Sequence, residues 1–431
     1  MTEQMFGRVP LNLVVTAIKD GTHGTHARVD NGIPFLSAKN ITDSGEVSWN
    51  ETDDRISDSE YEQIHRVFQL QPRDLLLTIV GSLGRRAVFD GARVTFQRSV
   101  AYVRPDRRRV SERFLFHWFA HGEFQRELVR RSNSTAQAGL YLGELAQTLV
   151  PDCPLTEQIK IAEVLDTLDT TIRQTEAIID KLKQVKQGLL HDLLTRGIAD
   201  NGELRPPQSE APHLYKESAL GWLPACWTAA HIQDLASFVT SGSRGWAAHY
   251  SEAGALFIRS QNVRMGYLDF SDRQHVRPPS GSEGQRTKVA ANDLLVTITG
   301  NGVGNLAFVP AHWNEEAFVS QHVGLVRFFE SRLAQLAMLY LVEGAPGNHQ
   351  LVDAQYGQSK PGLNLENLRR LQLPVPPTIE QVSIVERLGG LQDRIELEKL
   401  SLAQNRMLKS GLMDDLLTGR VRVTALLNAE T

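Results

Sequence analysis

The sequence predicts an α+β protein in which two similar mixed α/β heads are separated by two long helices. The helices are expected to pair as an antiparallel coiled coil about a pseudo-two-fold axis. Three observations carry this. GLLHDLLT at 188–195 returns as GLMDDLLT at 411–418, apolar residues before both strings fall on one heptad frame, and short β-branched runs ending in glycine occupy matched places upstream.

The repeat comes first, because a repeated unit dictates architecture. Aligning 151–198 with 374–421 gives 16 identities in 48 positions without a gap. Upstream the match survives in pieces: GIPFLSAKNI (32–41) with GALFIRSQNV (254–263), RDLLLTIVG (73–81) with NDLLVTITG (292–300), and AGLYLGEL (138–145) with PGLNLENL (361–368). There the offset drifts between 219 and 223. The upstream part of the unit therefore tolerates insertions and the downstream part does not.

Helical geometry explains the difference. In the first copy Ile161, Leu165, Leu168, Ile172, Ile179, Leu182, Leu189 and Leu193 step by fours and threes once Thr175 and Lys186 are admitted as polar members. In the second, Ile384, Leu388, Leu391, Ile395, Leu402, Leu412 and Leu416 keep the frame, with Glu398, Asn405 and Lys409 as polar members. This is a heptad seam. One inserted residue would turn everything beyond it by about 100° and take the seam off its partner. An ordinary amphipathic core helix is the competing reading, but five unbroken heptads exceed the usual length of about 8 to 20 residues. From Glu157 to Thr195 such a rod is about 58 Å long, the rise of roughly 17 base pairs. Two antiparallel rods would make a ruler that holds the heads at a fixed separation.

Each head reads as many short strands. LLLTIV (75–80) and LLVTIT (294–299) are apolar and end in GSLG and GNGVG. The second cluster lacks the Lys-Ser/Thr of a phosphate loop, so a hairpin turn is expected at both. Polar stretches at 20–32 and 240–254 occupy matching places yet differ in sequence. Selectivity is expected to live on such variable loops over a repeated scaffold. The chain thus divides into a first head (1–153), a spacer helix (154–197), a linker (198–214), a second head (215–376), a second spacer helix (377–421) and a tail (422–431).

Composition narrows the function. The 431 residues are 41% apolar, enough for more than one core. Cys153 and Cys226 sit in no CxxC or Cys/His cluster, which suggests a reduced cytoplasmic setting without disulfides. MTEQMFGRVPLN has no apolar signal core and no run approaches a membrane span. His23 and His26 lack a third or fourth ligand at a sensible spacing, so no metal is expected. The amino-methyltransferase tetrapeptide, GxxxxGK[ST], GxSxG and HExxH are all missing. Pro151-Asp152 with Glu157 and Lys160 resembles a nuclease signature only superficially, since the second copy reads Pro374-Val375. No catalytic residue is expected.

Net charge is −4, but residues 64–131 carry 14 Arg and no Lys against 6 acids. Residues 1–63 carry 5 bases against 11 acids. A positive face on the first head would suit a polyanion. Arg85, Arg86 and Arg98 have the guanidinium forks that fit phosphates and guanine edges. The other DNA-contact candidates lie on the variable loops and turns: Thr22, His23 and Lys39 in the first head, and Ser243, Arg244, Trp246, Gln261, Asn301, Gln321 and Lys360 in the second. Trp246 either stacks on a base or caps a small core.

The order head, long helix, head, long helix resembles the specificity subunit of type I restriction-modification systems. The likeness extends over nearly the whole chain. Its marks are DGTHGT with IPFLSAKNI, GSRGW with FIRSQNV, the AGL and PGLN turns leading into P-x-x-P-x-x-EQ, the lead-in HLYKESALGWLPACW (213–227), and the two DLLT helix ends. The resemblance implies that each head is a target recognition domain reading half of a split double-stranded DNA sequence. It implies that the helices space the halves and dock two methyltransferase (modification) subunits, to which restriction/translocase subunits attach. S-adenosylmethionine, ATP and Mg would belong to those partners, none to this chain. The competing classes are a standalone two-headed DNA-binding protein and a coiled-coil scaffold that binds no nucleic acid.

Overall fold

The repeated string D-L-L-x-T has a structural cause visible in both heads. Arg73 and Asn292 adopt left-handed backbone (φ 72° and 65°), and the next residue is a buried aspartate. Asp74 takes both guanidinium branches of Arg104 (2.8 and 2.7 Å), and Asp293 those of Arg327 (both 2.7 Å). Charge-assisted forks of this kind are short and directional. Each pins a central strand, Leu75–Thr78 or Leu294–Thr297, to its neighbour, Val100–Pro105 or Val323–Phe328. The leucines that follow are wholly buried on both faces of the sheet.

The computed structural model describes residues 5–132, 139–278, 281–357 and 361–429. Lys360 lies outside them. The chain divides into Met1–Glu176 with Leu400–Thr431, and Ala177–Lys399. The helices Leu155–Thr195 and Thr378–Thr418, 41 residues each, run through the division. Each unit therefore holds one head and part of both helices.

Both heads carry one plan. In the first, a four-stranded antiparallel sheet runs Val15–Asp20, Val100–Pro105, Leu75–Thr78, Arg86–Val88. In the second, Ala236–Ser241, Val323–Phe328, Leu294–Thr297 and Leu306–Phe308 repeat that order. Even the irregularity recurs, between Val15 and Ala17 and between Ala236 and Phe238. The expected hairpins fall at 79–85 and 298–305, each closed by a threonine, Thr78 or Thr297, whose backbone pairs across the turn. A second small sheet contains a parallel pair in each head, Ile33–Leu36 with Thr95–Phe96 and Ala255–Ile258 with Ala317–Val319.

The helix ends are built into the head cores. Ile161, Leu165 and Leu416 are buried with Phe114, Trp118 and Val150 in the first unit. Leu193, Ile384 and Leu388 are buried with Trp227, Leu333 and Leu371 in the second. Ile179 and Ile395 are buried as well, whereas Leu168, Ile172, Leu182, Leu189, Leu391, Leu402 and Leu412 are half-buried. Within the first unit the helix segments run antiparallel, since Asp169 meets Lys409 and Glu176 meets Arg406 (2.6 Å). Within the second, Lys186 donates to Gln392 at 2.5 Å. The seam lysines thus find polar partners on the facing helix.

The EQ dipeptides after P-x-x-P lie in the first turn of each helix. Buried Glu157 holds Arg422, whose guanidinium also covers the Phe6 ring at 4.8 Å. Buried Glu380 holds Arg205, the Trp227 indole (2.9 Å) and the Ile198 amide (2.6 Å). Gln158 and Gln381 close the preceding turn by donating to Cys153 O (2.8 Å) and Pro376 O (2.9 Å). This accounts for Glu157 without nuclease chemistry. The stretch 198–214, expected as a linker, is itself built into this joint: Ile198 bridges Leu204, and Arg205 is half of a buried ion pair.

Candidate nucleic-acid interface

Gly21 and Gly242 fix where the two variable loops begin. A Cβ on Gly21 would lie 2.1 Å from Phe96 O, and one on Gly242 2.2 Å from Val319 O, so the backbone passes where only glycine fits. The next residues are Thr22 and Ser243, matched hydroxyls at the mouth of each loop. Thr22 lies 2.6 Å from His26 Nε2, and His26 Nδ1 lies 2.5 Å from Glu60. Ser243 accepts from Arg286 at 2.6 Å, and Arg286 also donates to Ser241 O at 2.7 Å. A cavity of about 400 Å³ opens beside the first loop, lined by Asp20, Thr22, His26, Glu60, Gln63 and Phe68 among others.

The remaining candidates sort by what holds them. His23 is exposed and bonds Asp20 at 2.6 Å. Lys39 and Gln261 occupy matched exposed positions inside the repeated turns whose asparagines, Asn40 and Asn262, accept from the Ser37 and Arg259 amides. Both reach an acid, Lys39 to Asp53 (2.8 Å) and Gln261 to Asp272 (2.5 Å). The hydrogen bond from Lys39 holds the Asp53 carboxyl down at about 2. The side chains of Arg98, Arg244 and Asn301 are exposed with no hydrogen-bond or ion-pair partner among the described residues, while the Arg98 amide donates to Thr22 O at 3.1 Å. Gln321 is half-buried and bonds His322 at 3.0 Å.

Three expectations are corrected by packing. Trp246 is 3% exposed, stacked on Phe257 with ring centres 5.2 Å apart, and belongs to a small core, so it presents no face to a base. Arg86 is largely buried, lies over Phe116 at 4.7 Å and donates to the Phe116 carbonyl, so its guanidinium is not offered to a phosphate. Arg85 is half-buried and paired through both branches with Asp43 (2.7 and 3.1 Å). More broadly, part of the arginine charge of 64–131 is paired within the fold. Arg73 meets Glu112, Arg93 meets Asp58, Arg104 meets Asp74, Arg113 meets Asp166 and Arg131 meets Glu127. Arg66, Arg98, Arg107, Arg109 and Arg126 are exposed without an ion pair among the described residues.

One further polar cluster lies in the first unit. His117, Asp166 and Asp169 place donor atoms within 4.8 Å of one another. Arg113 and Lys409 already take the two carboxylates, which favours a closed ion network over a cation site. Burial works against ionising Asp166, but hydrogen bonds from His117 and Arg113 prevail and hold its carboxyl at about 2. Burial pushes His117 below its ordinary range.

The sequence reading missed Glu60 and Arg286. Neither is near its hydroxyl in sequence, and the only signal was His26, set aside because a metal was the sole role weighed for it.

Two copies of one strand-rich head, each joined to long helices and each carrying different polar groups on the same loops, define a two-headed recognition protein. The chain belongs to the type I restriction modification DNA specificity domain family, whose model matches residues 27–184 and 282–404. It is 22% identical over 276 residues to the type I restriction enzyme MjaVIII specificity subunit of Methanocaldococcus jannaschii, a match covering 64% of this chain and 62% of that protein. The putative MjaX specificity subunit of the same organism is 20% identical over 418 residues, 95% of this chain and 92% of its own length. The crystal structure of a type I S subunit from M. genitalium shares the fold, with TM-score 0.59 at 12% identity over 96% of each chain. Among the described residues no helix is long and apolar enough to cross a membrane.

Proposed function

We propose that this chain is the non-catalytic, DNA-reading subunit of a cytoplasmic type I restriction-modification complex, recognising a bipartite double-stranded target through its two heads. The observation that carries this is the pairing of one scaffold with two loop chemistries: Thr22 beside His26 and Glu60 in one head, Ser243 beside Arg286 in the other. Identical folds with unlike reading groups suit two unlike half-sites. The paired 41-residue helices serve as a coiled-coil spacer between them. Two modification subunits dock on the chain and restriction/translocase subunits attach to those. The partners supply S-adenosylmethionine, ATP and Mg. Phosphate contacts would come from exposed cations such as Arg98 and Arg244, which position without reading sequence.

The test is to assemble the purified chain with a type I modification subunit from its source genome and map methylation on genomic DNA. A split motif with a fixed spacer is expected. Methylation at a continuous motif, or methyl transfer by the chain alone, would refute the proposal.

A further inference from the structure

The two loop hydroxyls are wired to opposite hydrogen-bond polarity. Glu60 as a carboxylate only accepts, so the 2.5 Å contact takes its hydrogen from His26 Nδ1. With one hydrogen on the ring, His26 Nε2 is a bare lone pair, and the hydrogen of its 2.6 Å contact comes from the Thr22 hydroxyl. The Gly24 amide leans on the same oxygen at 3.5 Å. Thr22 Oγ1 is left with lone pairs and no hydrogen to offer. In the second head the order reverses. Arg286 has donors and no acceptor, so the Ser243 oxygen accepts at 2.6 Å and its own hydrogen stays free.

A serine or threonine hydroxyl can ordinarily take either role toward a base edge, which makes it a poor discriminator. A neighbour that fixes the role removes the ambiguity. We infer that Thr22 reads its half-site as an obligate acceptor, selecting an exocyclic amine of adenine or cytosine, and Ser243 reads the other as a donor, selecting a purine N7, guanine O6 or thymine O4. Glu60 through His26, and Arg286 directly, are positioning residues that set these roles. The short helices Asp58–His65 and Ser282–Thr287 contribute Glu60 and Arg286 respectively, so one scaffold element determines polarity in both heads. The inference rests on the DNA-reading function proposed above.

The experiment crosses protein variants with base analogues in the assembled complex, using duplexes of the motif found by methylation mapping. Exocyclic amines are deleted one at a time in half-site one, and the N7 of either purine, guanine O6 and thymine O4 in half-site two. At one position of half-site one, amine deletion should weaken binding about tenfold in the wild type and not at all in Thr22→Val, the scale of one good base contact. Ser243→Ala should couple in the same way to a carbonyl or N7 position. Glu60→Gln frees the imidazole to take its other tautomer, as replacing the orienting carboxylate does in a serine-protease triad, and should reduce the Thr22 coupling. Coupling of Thr22 to a carbonyl, coupling of Ser243 to an amine, or full coupling in Glu60→Gln each overturns the inference. Nitrogen-15 NMR of the His26 ring in the free chain is an independent readout. A hydrogen on Nδ1 alone supports the inference, and one on Nε2, whether in the other tautomer or in the doubly protonated ring, overturns it even if the complex enriches no bipartite target. Such a lack of enrichment defeats the DNA reading itself.

Discussion

Replacing Glu380 with alanine should destabilise the second unit more than any other single change at a helix start. The carboxylate is 7% exposed and receives both branches of Arg205, the Trp227 indole and the Ile198 amide. Its loss strands two neutral buried donors, at about 1 to 3 kcal/mol each. It also leaves a guanidinium whose side chain is 11% exposed, and breaking a buried pair costs about 3 to 5 kcal/mol. These do not add in full, because Arg205 keeps the Arg196 carbonyl at 3.0 Å and water enters the vacated space. A net loss of about 4 kcal/mol is expected. At the matched position Glu157→Ala should cost about 2 kcal/mol, because Arg422 is 27% exposed and regains water. Urea unfolding followed by tryptophan fluorescence measures both. Replacing the pair together, Glu380→Leu with Arg205→Met, should recover most of the loss. A Glu380→Ala cost below about 1 kcal/mol, or one smaller than that of Glu157→Ala, would refute the view that this carboxylate organises the joint between helix and head.

Other outcomes follow from burial and charge. Leu165→Ala, at a fully buried seam position, should cost about 3 kcal/mol, while Leu397→Ala, at 61% exposure, should stay within about 0.5 kcal/mol in the same unfolding assay. His117 is held neutral below its ordinary 6.5, so the unfolded chain protonates there first. Stability from this site is full above pH 6.5 and falls as pH drops below it. Asp166 adds a second loss between pH 3.8 and about 2. His117→Gln should flatten the first of these losses in a pH series of unfolding midpoints. Burial pushes the Cys153 thiol up to about 12 whereas Cys226 is exposed, so iodoacetamide on the native chain should label Cys226 alone, as read by peptide mass.

The helices and the repeat were legible because a seam forbids insertions, and a gapless match between residues 151–198 and 374–421 is the trace that constraint leaves. The central strands were legible as apolar runs, although the reason for the repeated aspartate appears only when Arg104 and Arg327 arrive from a neighbouring strand. A count over 64–131 overstates the positive face because it leaves out acids that fold in from outside the segment: Asp43 is 42 residues from Arg85, and Asp166 is 53 from Arg113. Trp246 was undecidable, since a tryptophan beside an arginine looks alike on a surface and over Phe257. Of the loop candidates, Thr22 and Ser243 were found by position, but what orients them comes from Glu60 and Arg286, on helices 38 and 43 residues further along the chain.

The central claim, two heads reading two half-sites at a distance set by the helices, is tested most directly by lengthening both helices together. Four residues inserted after Lys181 and four after Leu397 add about 6 Å of rise and about 40° of turn, and a stutter of this size unwinds a coiled coil locally without destroying it. Methylation by the assembled complex is then measured on duplexes whose spacer varies one base pair at a time. The preferred spacer should lengthen by roughly one to two pairs with both half-sites unchanged, because 6 Å is close to two base-pair steps. An unchanged optimum would contradict the account: the helices would then dock partners without measuring distance.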